Sequence, residues 1–411
     1  MKTFAKAYNL ELFFCFLATL VMLSFGQLLR VNLTIGAFYP HDVSIGLFLA
    51  SYLLGQLVFR HKNSVIHFYQ RAQFKQYWLE IVAGLWLALS LSYHLFGSHN
   101  LIPMLYSGRI LFYSLFIIFS FKQLKLWQKV DFLPRWLWFF LIINFVTFFG
   151  LAQYFLFYDL RALYFLGWDD HLGRLVSTLL DPNFAGFLIG FGLIYWQSLK
   201  TKLSPWIYWS ANLIFILALT LTFSRASYLS TLTGLGLTSL LSKSRSAKLA
   251  NVVIILGLIG GIIFIPKPPG EGGKLLRSAS IKARIVNDLS SLGLPTNFER
   301  LKQSKVITHN QSLIMQTTHS YTINHQLPFH ATWPNNLEVF IYHQFGLVGL
   351  ILFLVILIKW GKQLYLKNKL AGIFLIGLLI HAQFNNTAFE PFVFLIFWGS
   401  LAEVLRLKLD I

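Results

Sequence analysis

The chain has 411 residues, of which 56% are hydrophobic and 12% charged, with a mean hydropathy of +0.62. A soluble domain carries about 25% charged residues, so the composition excludes a soluble globular protein and a disordered one and leaves a polytopic membrane protein. The formal net charge is +19; in a soluble chain that would point to nucleic acid, but in a membrane protein the placement of the charges is what informs.

A helix needs about 20 apolar residues to cross the bilayer. Lys2 and Lys6 precede an apolar stretch from Leu12 to Leu29 that is long enough to span and has no A-x-A cleavage site, so it reads as a first helix and not a signal peptide. Cys15, the lone cysteine, lies inside it as a small apolar residue, and no intrachain disulfide is possible. Twelve spans follow in order, at 11–29, 43–59, 77–96, 104–121, 136–157, 180–198, 205–223, 226–242, 249–266, 337–358, 370–386 and 389–405. The eighth is short and Gly-rich and the eleventh is interrupted by polar residues. The expected architecture is an all-α integral membrane protein forming one unit. Spans one to nine occupy 1–266, a large extracytoplasmic loop 267–336, and the last three spans 337–411.

Orientation follows from the basic residues. With the N-terminus in the cytoplasm, 21 Lys and Arg fall in cytoplasmic segments, five in short external ones and eight in the long loop, which is exempt from the rule. Both termini are then cytoplasmic. Ten of the 15 acidic residues, Asp42, Asp181, Glu338 and Glu390 among them, fall outside or at the outer boundary. The short basic cytoplasmic loops read as anchors for an anionic leaflet, so the chemistry is expected on the outer face. No nucleotide-binding, zinc-protease or nucleophile-elbow motif is present. No repeat relates the two halves, which weighs against a secondary transporter.

The five cations of the short external segments are Arg30, Arg109, Arg161, Arg174 and Arg225, with no Lys. Arginine offers a planar fork that grips phosphate oxygens; the plainer reading is snorkelling and pairing with nearby Asp. Between Gly150 and Gly186 a polar, aromatic external segment leads to Asp181-Pro182-Asn183. There Asp181 suits an N-cap and Pro182 the first helical position, and a helix start is also an anion site. Asp169 and Asp170 are acid/base or sugar-hydroxyl candidates, or they neutralise Arg161 and Arg174. Thr222-Phe223-Ser224-Arg225-Ala226-Ser227 forms a tight turn between two spans. An arginine held there needs a partner or a function. The long loop opens with the linker PKPPGEGGK. It continues as RSASIKARIVNDLSSL, where Ile281, Ile285 and Leu289 recur at i, i+4 and i+8 and Arg277 and Arg284, seven apart, share a face if the helix extends back that far; this fits a basic amphipathic helix on a membrane surface or an ordinary surface helix. His319, His325 and His330 follow, at spacings that match no usual metal pattern.

These segments carry a resemblance. GWDDHLGRLVSTLLDPN, from Gly167 to Asn183, is similar to a GWDD…DPN pattern of polysaccharide polymerases. TFSRASYL resembles a short S-R-[AG]-x-x-L turn, RSASIKAR an R-T-x-S-I-x-x-R stretch, and PNNLEVFIYHQFGLVGL a P-H-N-x-x-L stretch followed by a G-L-[VI]-G-L span. From about residue 150 onward the chain resembles the O-antigen ligase / Wzy polymerase superfamily of bacterial envelope glycosyltransferases; the first four spans match in hydropathy only, apart from Arg109 in YSGRILFY. The resemblance implies a GT-C-like fold with short amphipathic helices in the external loop, and a multi-pass protein of the bacterial cytoplasmic membrane. It implies a metal-independent enzyme without cofactors that moves a glycan from polyprenyl (undecaprenyl) pyrophosphate to a lipid-linked repeat unit, in exopolysaccharide, capsule or O-antigen synthesis. Chain-length regulator and flippase proteins are the implied partners, beside membrane lipids, and nucleic acid is not one. The other readings are ligase-type transfer of finished glycan to a different envelope acceptor and a lipid-linked oligosaccharide transporter, whose ionisable groups would line a central pathway.

On this resemblance Arg174, Arg225 and Arg284, then Arg277 and Arg109, contact pyrophosphate. Asp169 or Asp170 orients or deprotonates the acceptor. Trp168, Asp181, Asn183, Ser224, Asn335 and Asn336 belong to the motifs, and Trp168, Tyr321 and Trp333 are stacking or interfacial residues. One departure stands out: where the family has His-Asn after the proline, this chain has Asn335-Asn336 after Pro334. Asparagine is no base near neutral pH, so the role falls to His330, His325, Glu338 or an Asp of the first loop, or the family His is not a base.

Overall fold

A computed structural model describes residues 2–33, 36–58, 79, 82, 84–86, 88–89, 101–128, 138–161, 163, 171–200, 203–266, 337–384, 387–388 and 390–406. The described chain is helical apart from one short hairpin. Its helices are α1 (Lys2–Ser24), α2 (Pro40–Val58), α3 (Leu101–Gln128), α4 (Trp138–Leu156), α5 (Pro182–Gln197), α6 (Pro205–Leu221), α7 (Arg225–Leu241), α8 (Arg245–Phe264), α9 (Leu337–Lys367), α10 (Lys369–Ala382) and α11 (Pro391–Arg406). Among the described residues, three segments are long and apolar enough to cross a membrane: Trp138–Leu156, Arg245–Phe264 and Phe345–Lys367. The protein is thus an α-helical membrane protein by length and composition of its helices. The loop expected at 267–336, with Arg277, Arg284 and His330, lies outside the described residues.

The boundaries differ from the sequence reading near α1, at α9 and between α10 and α11. The first predicted span breaks after Ser24, because Gly26 takes a left-handed φ of 51° and a 3-10 turn, Gly26–Leu29, follows. A Cβ on Gly26 would also sit 2.7 Å from the Thr178 carbonyl oxygen, so a side chain is excluded there twice over. An antiparallel pair, β1 (Val31–Leu33) and β2 (Gly36–Phe38), then returns the chain to α2. Helix α9 is kinked at Gly346 (φ 66°, ψ −174°), a conformation open to glycine alone, and the apolar run starts at Phe345 rather than 337. Helix α10 stops at Ala382 and α11 starts at Pro391, so Glu390 lies outside both helices.

Helices α5, α7 and α10 form the centre, with α6 and α8 packed on one side and α4 and α11 on the other. The close approach of α5 to α7 depends on glycines one turn apart. A Cβ on Gly186 would lie 2.6 Å from Ser227 Oγ, and one on Gly190 would collide with Thr231 Oγ1. Small residues at this spacing let helices approach where lipid offers no hydrophobic drive to associate. Aromatic rings fill the centre: Phe191 lies 4.0 Å from Phe374 and Phe187 lies 5.7 Å from Phe397, centroid to centroid. The outer surface is apolar as well, with Phe264 82% and Leu240 76% exposed, as expected for side chains facing lipid.

Polar pairing marks one end of the bundle. Glu403 of α11 receives the Phe139 backbone N–H, 3.2 Å from both oxygens, and so caps the start of α4. Gln197 of α5 meets Asn212 and Tyr208 of α6, and the Asn368 amide meets the Val404 carbonyl. The opposite end holds the larger networks.

Candidate functional site

Two polar nests lie at that opposite end, where α1, α4, α6 and α10 finish and α2, α5, α7 and α11 begin. The first is built on α5 and α7. Asp181 takes an extended backbone and its Oδ1 receives the N–H groups of Asn183 (2.6 Å) and Phe184 (3.1 Å), with Pro182 in the first helical position. The cap expected from Asp-Pro-Asn is therefore formed. Ser224 caps α7 in the same way, receiving the Ser227 N–H, and Arg225 is the first residue of that helix. The two helix starts are bonded together. Ser224 Oγ donates to Asn183 Oδ1 at 2.9 Å, and Ser227 Oγ lies 3.2 Å from the Asn183 carbonyl and 2.8 Å from Ser224 Oγ.

Arg174 comes to the same turn from the preceding segment: its Nε donates to the Thr222 carbonyl at 3.0 Å. The segment is held by the Leu175 N–H on the Leu221 carbonyl and by Gln153 of α4, whose Oε1 receives the Val176 and Ser177 N–H groups. Behind the turn, buried His381 of α10 places Nε2 3.0 Å from Ser227 Oγ and Nδ1 2.6 Å from Thr387 Oγ1. Three non-glycine residues here, Ser177, Leu180 and Phe223, have left-handed φ between 51° and 56°. Leu180 and Phe223 each stand immediately before a capping residue.

The second nest is built on α2 and α3. Asp42 accepts Arg109 NH2 (3.0 Å) and the Tyr39 N–H on Oδ2, and the Tyr113 hydroxyl (2.7 Å) on Oδ1. Tyr113 in turn lies 2.6 Å from His41 Nε2. The Arg109 guanidinium also lies over the Tyr39 ring, 5.0 Å from its centroid. The Tyr39 hydroxyl donates to Gln27 Oε1 (2.7 Å), which turns the Gln27 amide toward Glu390 Oε1 at 3.4 Å. Glu390 Oε2 receives the Val393 N–H at 2.7 Å and so caps α11. Burial, then the nearby Asp181 charge, pushes the Glu390 carboxyl up to about 8, opposed by its backbone hydrogen bonds and by Arg109. Glu390 is thus within electrostatic reach of both nests.

Of the residues singled out from sequence, the structure brings Arg174, Asp181, Asn183, Ser224 and the Arg225 backbone into the first nest. Arg109 belongs to the second, where its carboxylate partner is Asp42. Arg161 pairs with Asp159 (2.6 Å) on the surface, and these hydrogen bonds hold the Asp159 carboxyl down at about 2. Arg30 follows the 3-10 turn. Glu338 falls in the first turn of α9, its side chain outside the described groups. Trp168, Asp169, Asp170, Arg277, Arg284, Tyr321, His330, Trp333, Asn335 and Asn336 lie outside the described residues.

Sequence reasoning passed over His41, Tyr113, Gln27, His381 and Thr387, named Ser227 only as part of the turn, and counted Asp42 and Glu390 only as acidic residues of one face. The usable signal was polarity inside apolar windows, at His41-Asp42 opening a span and at His381 closing one. In comparison with known proteins, no family model matches the chain, and no curated protein does.

Proposed function

We propose that the protein is a glycosyltransferase of the bacterial cytoplasmic membrane that polymerises lipid-linked repeat units at the outer face. The glycan of one polyprenyl-pyrophosphate donor is joined to a sugar hydroxyl of another, as in exopolysaccharide, capsule or O-antigen synthesis. The observation that carries this reading is that Arg174 and the helix start bearing Arg225, far apart in sequence, share the Thr222–Ser224 turn with Asn183. The sequence-derived orientation puts this end of the bundle outside, with both termini cytoplasmic and twelve crossings.

In the proposed reaction the acceptor hydroxyl oxygen forms a bond to the anomeric carbon of the donor. The bond from that carbon to the pyrophosphate oxygen breaks, and the pyrophosphate leaves with the electron pair. Fixed arginine donors stabilise the charge that develops on it. Arg174 and Arg225 take that role here, joined by Arg277 and Arg284 of the long loop. Arg109 supports the site from the second nest. The acceptor proton passes to a carboxylate or imidazole, with Asp169, Asp170, Glu338 and His330 the residues to test.

The test uses purified protein, a synthetic polyprenyl-pyrophosphate repeat unit and EDTA, with products resolved as a ladder. Wild type yields a ladder, and Arg174→Ala and Arg225→Ala abolish it. A single product formed only with a second acceptor would replace polymerase by ligase. Lipid scrambling in liposomes without glycan transfer would replace the enzyme by a transporter.

A further inference from the structure

At the end of the bundle away from the two nests, α6 and α8 start side by side. Ser204 caps α6 and Ser244 caps α8. A Cβ on Gly257 would meet Ile216 Cδ1 at 3.4 Å, and one on Gly261 would meet Thr220 Oγ1 at 2.7 Å. The step is four residues on both helices, so they run parallel and in register, and Trp206 and Trp209 lie level with Ala247 and Ala250. Helical periodicity sets the faces. On α6, Trp209 continues the Ile216–Thr220 stripe that meets α8, and Trp206 and Leu213 stand beside it on the exposed side. On α8, buried Ala250 continues the stripe of Gly257, and exposed Leu249 and Val253 stand beside it. These side chains line a shallow apolar groove that runs from the helix starts along the outer surface of the bundle. Helix α8 is long and apolar enough to cross a membrane, so the groove opens at a membrane boundary and descends into lipid.

The mouth of the groove is cationic. Lys200, from the segment before α6, donates from Nζ to the Ser246 carbonyl and to Ser246 Oγ (2.7 Å), which fixes it between the two helix starts. An ammonium has three donors, so one is left over among the described residues. Arg245, the first residue of α8, is exposed, as are Lys243 and Lys248, and none of the three forms an ion pair among the described residues. From Pro182 to Gly270 the sequence holds no Asp or Glu, so neither helix nor its connections supply a counter-ion. Exposed tryptophan is the side chain of the headgroup level of a membrane, and Trp206, 80% exposed, stands at the level of these cations. We propose that the α6–α8 groove binds one anionic phospholipid. Lys200 and Arg245 hold its phosphate, for which the arginine fork is suited, and an acyl chain lies along Trp209, Leu213, Leu249 and Val253. Lys243 and Lys248 add to the positive field around the headgroup. The site is independent of the glycan transfer proposed above and lies at the other end of the bundle.

Native mass spectrometry of the purified full chain in detergent counts bound lipids directly and needs no activity. Phosphatidylglycerol, titrated in, should fill one tight site, and phosphatidylcholine of the same chain length should bind at least about tenfold more weakly. Lys200→Gln/Arg245→Gln should weaken phosphatidylglycerol about thirtyfold, about fivefold for each basic residue at an anionic headgroup. Val253→Trp fills the groove below the charges and should weaken it with both cations in place. Lys362→Gln/Lys367→Gln removes two cations from the last turns of α9, at the same end of the bundle, and should change the affinity by less than about threefold, since exposed charges away from the site are screened. Equal losses in the two charge pairs would reduce the site to diffuse surface charge and overturn the proposal. Equal binding of the two lipids, or wild-type binding by Val253→Trp, also overturns it. If Lys200→Gln/Arg245→Gln does not fold, Arg245→Gln alone decides, with about a fivefold loss expected and none overturning the site.

Discussion

Glu390→Gln is the most informative single change, because it separates the charge of a buried group from its shape. The carboxyl caps α11 through the Val393 N–H and faces Gln27, with Asp181 and Arg109 as its charged neighbours. Its protonation midpoint rises from 4.5 to about 8, burial being the main cause. The sign of the linkage is set by which state holds the proton. Between about pH 4.5 and 8 the folded protein keeps it and the unfolded chain has lost it, so folding takes up a proton. The stability associated with neutral Glu390 is therefore fully present below pH 4.5 and is lost as pH rises through about 8. Raising a protonation midpoint by one on the pH scale corresponds to about 1.4 kcal/mol, so the loss across the window is on the order of 5 kcal/mol. Glutamine keeps an oxygen for the Val393 N–H and carries no titrating proton. The variant should match wild type near pH 5 and exceed it progressively toward pH 9, with a flatter dependence of apparent Tm on pH. The assay is thermal unfolding in detergent, followed by tryptophan fluorescence from pH 5 to 9. Parallel curves for the two proteins would refute a carboxyl kept protonated by burial.

Further changes probe the two polar nests and the α5–α7 contact. Asp181→Asn keeps the α5 cap, since the two residues cap about equally well, but removes the negative charge near Glu390; the midpoint of the same pH curve should move to lower pH, and an unmoved midpoint would deny the coupling. Asp42→Asn strips Arg109 of its carboxylate in a mostly buried setting. It is expected to cost roughly 3 kcal/mol or more, and adding Arg109→Met should restore part of that; additive losses in the double variant would show that the two residues act independently. Gly190→Leu drives a side chain into Thr231 and should lower stability by roughly 1–3 kcal/mol. Gly236→Ala, with open space around it, should change stability by less than about 1 kcal/mol; equal effects of the two would refute the tight α5–α7 contact.

The helices were legible because each is a long apolar run, and two of their starts were legible because Asp181-Pro182 and Ser224 satisfy orphan N–H groups locally. What escaped depends on partners distant in sequence. Gly26 ends α1 partly because Thr178 crowds it, and nothing near Gly26 reports on Thr178. The ion pair of Arg109 was not foreseen because its partner, Asp42, sits on another helix. The kink at Gly346 was hidden because its flanking residues are apolar on both sides and the composition reads straight through it. Of the site residues, those in the first nest were found because they cluster in two short motifs. Glu390 and His381 were not assigned roles because their importance comes from burial, which composition does not reveal.

The backbone of the first nest bears on why its polar groups are arranged as they are. Leu180 and Phe223 hold left-handed conformations that cost an ordinary residue roughly 1–2 kcal/mol each. Both are buried apolar side chains, so neither can be exchanged for glycine without losing packing. A cheaper route into either helix would begin without the reversal. Here the reversal does something specific: directly after it, Asp181 and Ser224 turn their side chains onto their own helix starts, and Ser224 reaches Asn183 across the interface. The same geometry brings Asn183 O within reach of Ser227, which requires Gly186 to lack a side chain. Strain, missing side chains and a buried histidine therefore converge on one placement, that of Asn183 beside the Arg174 turn. These three costs fall at one point of the bundle, the point at which the proposed reaction would place its fixed donors.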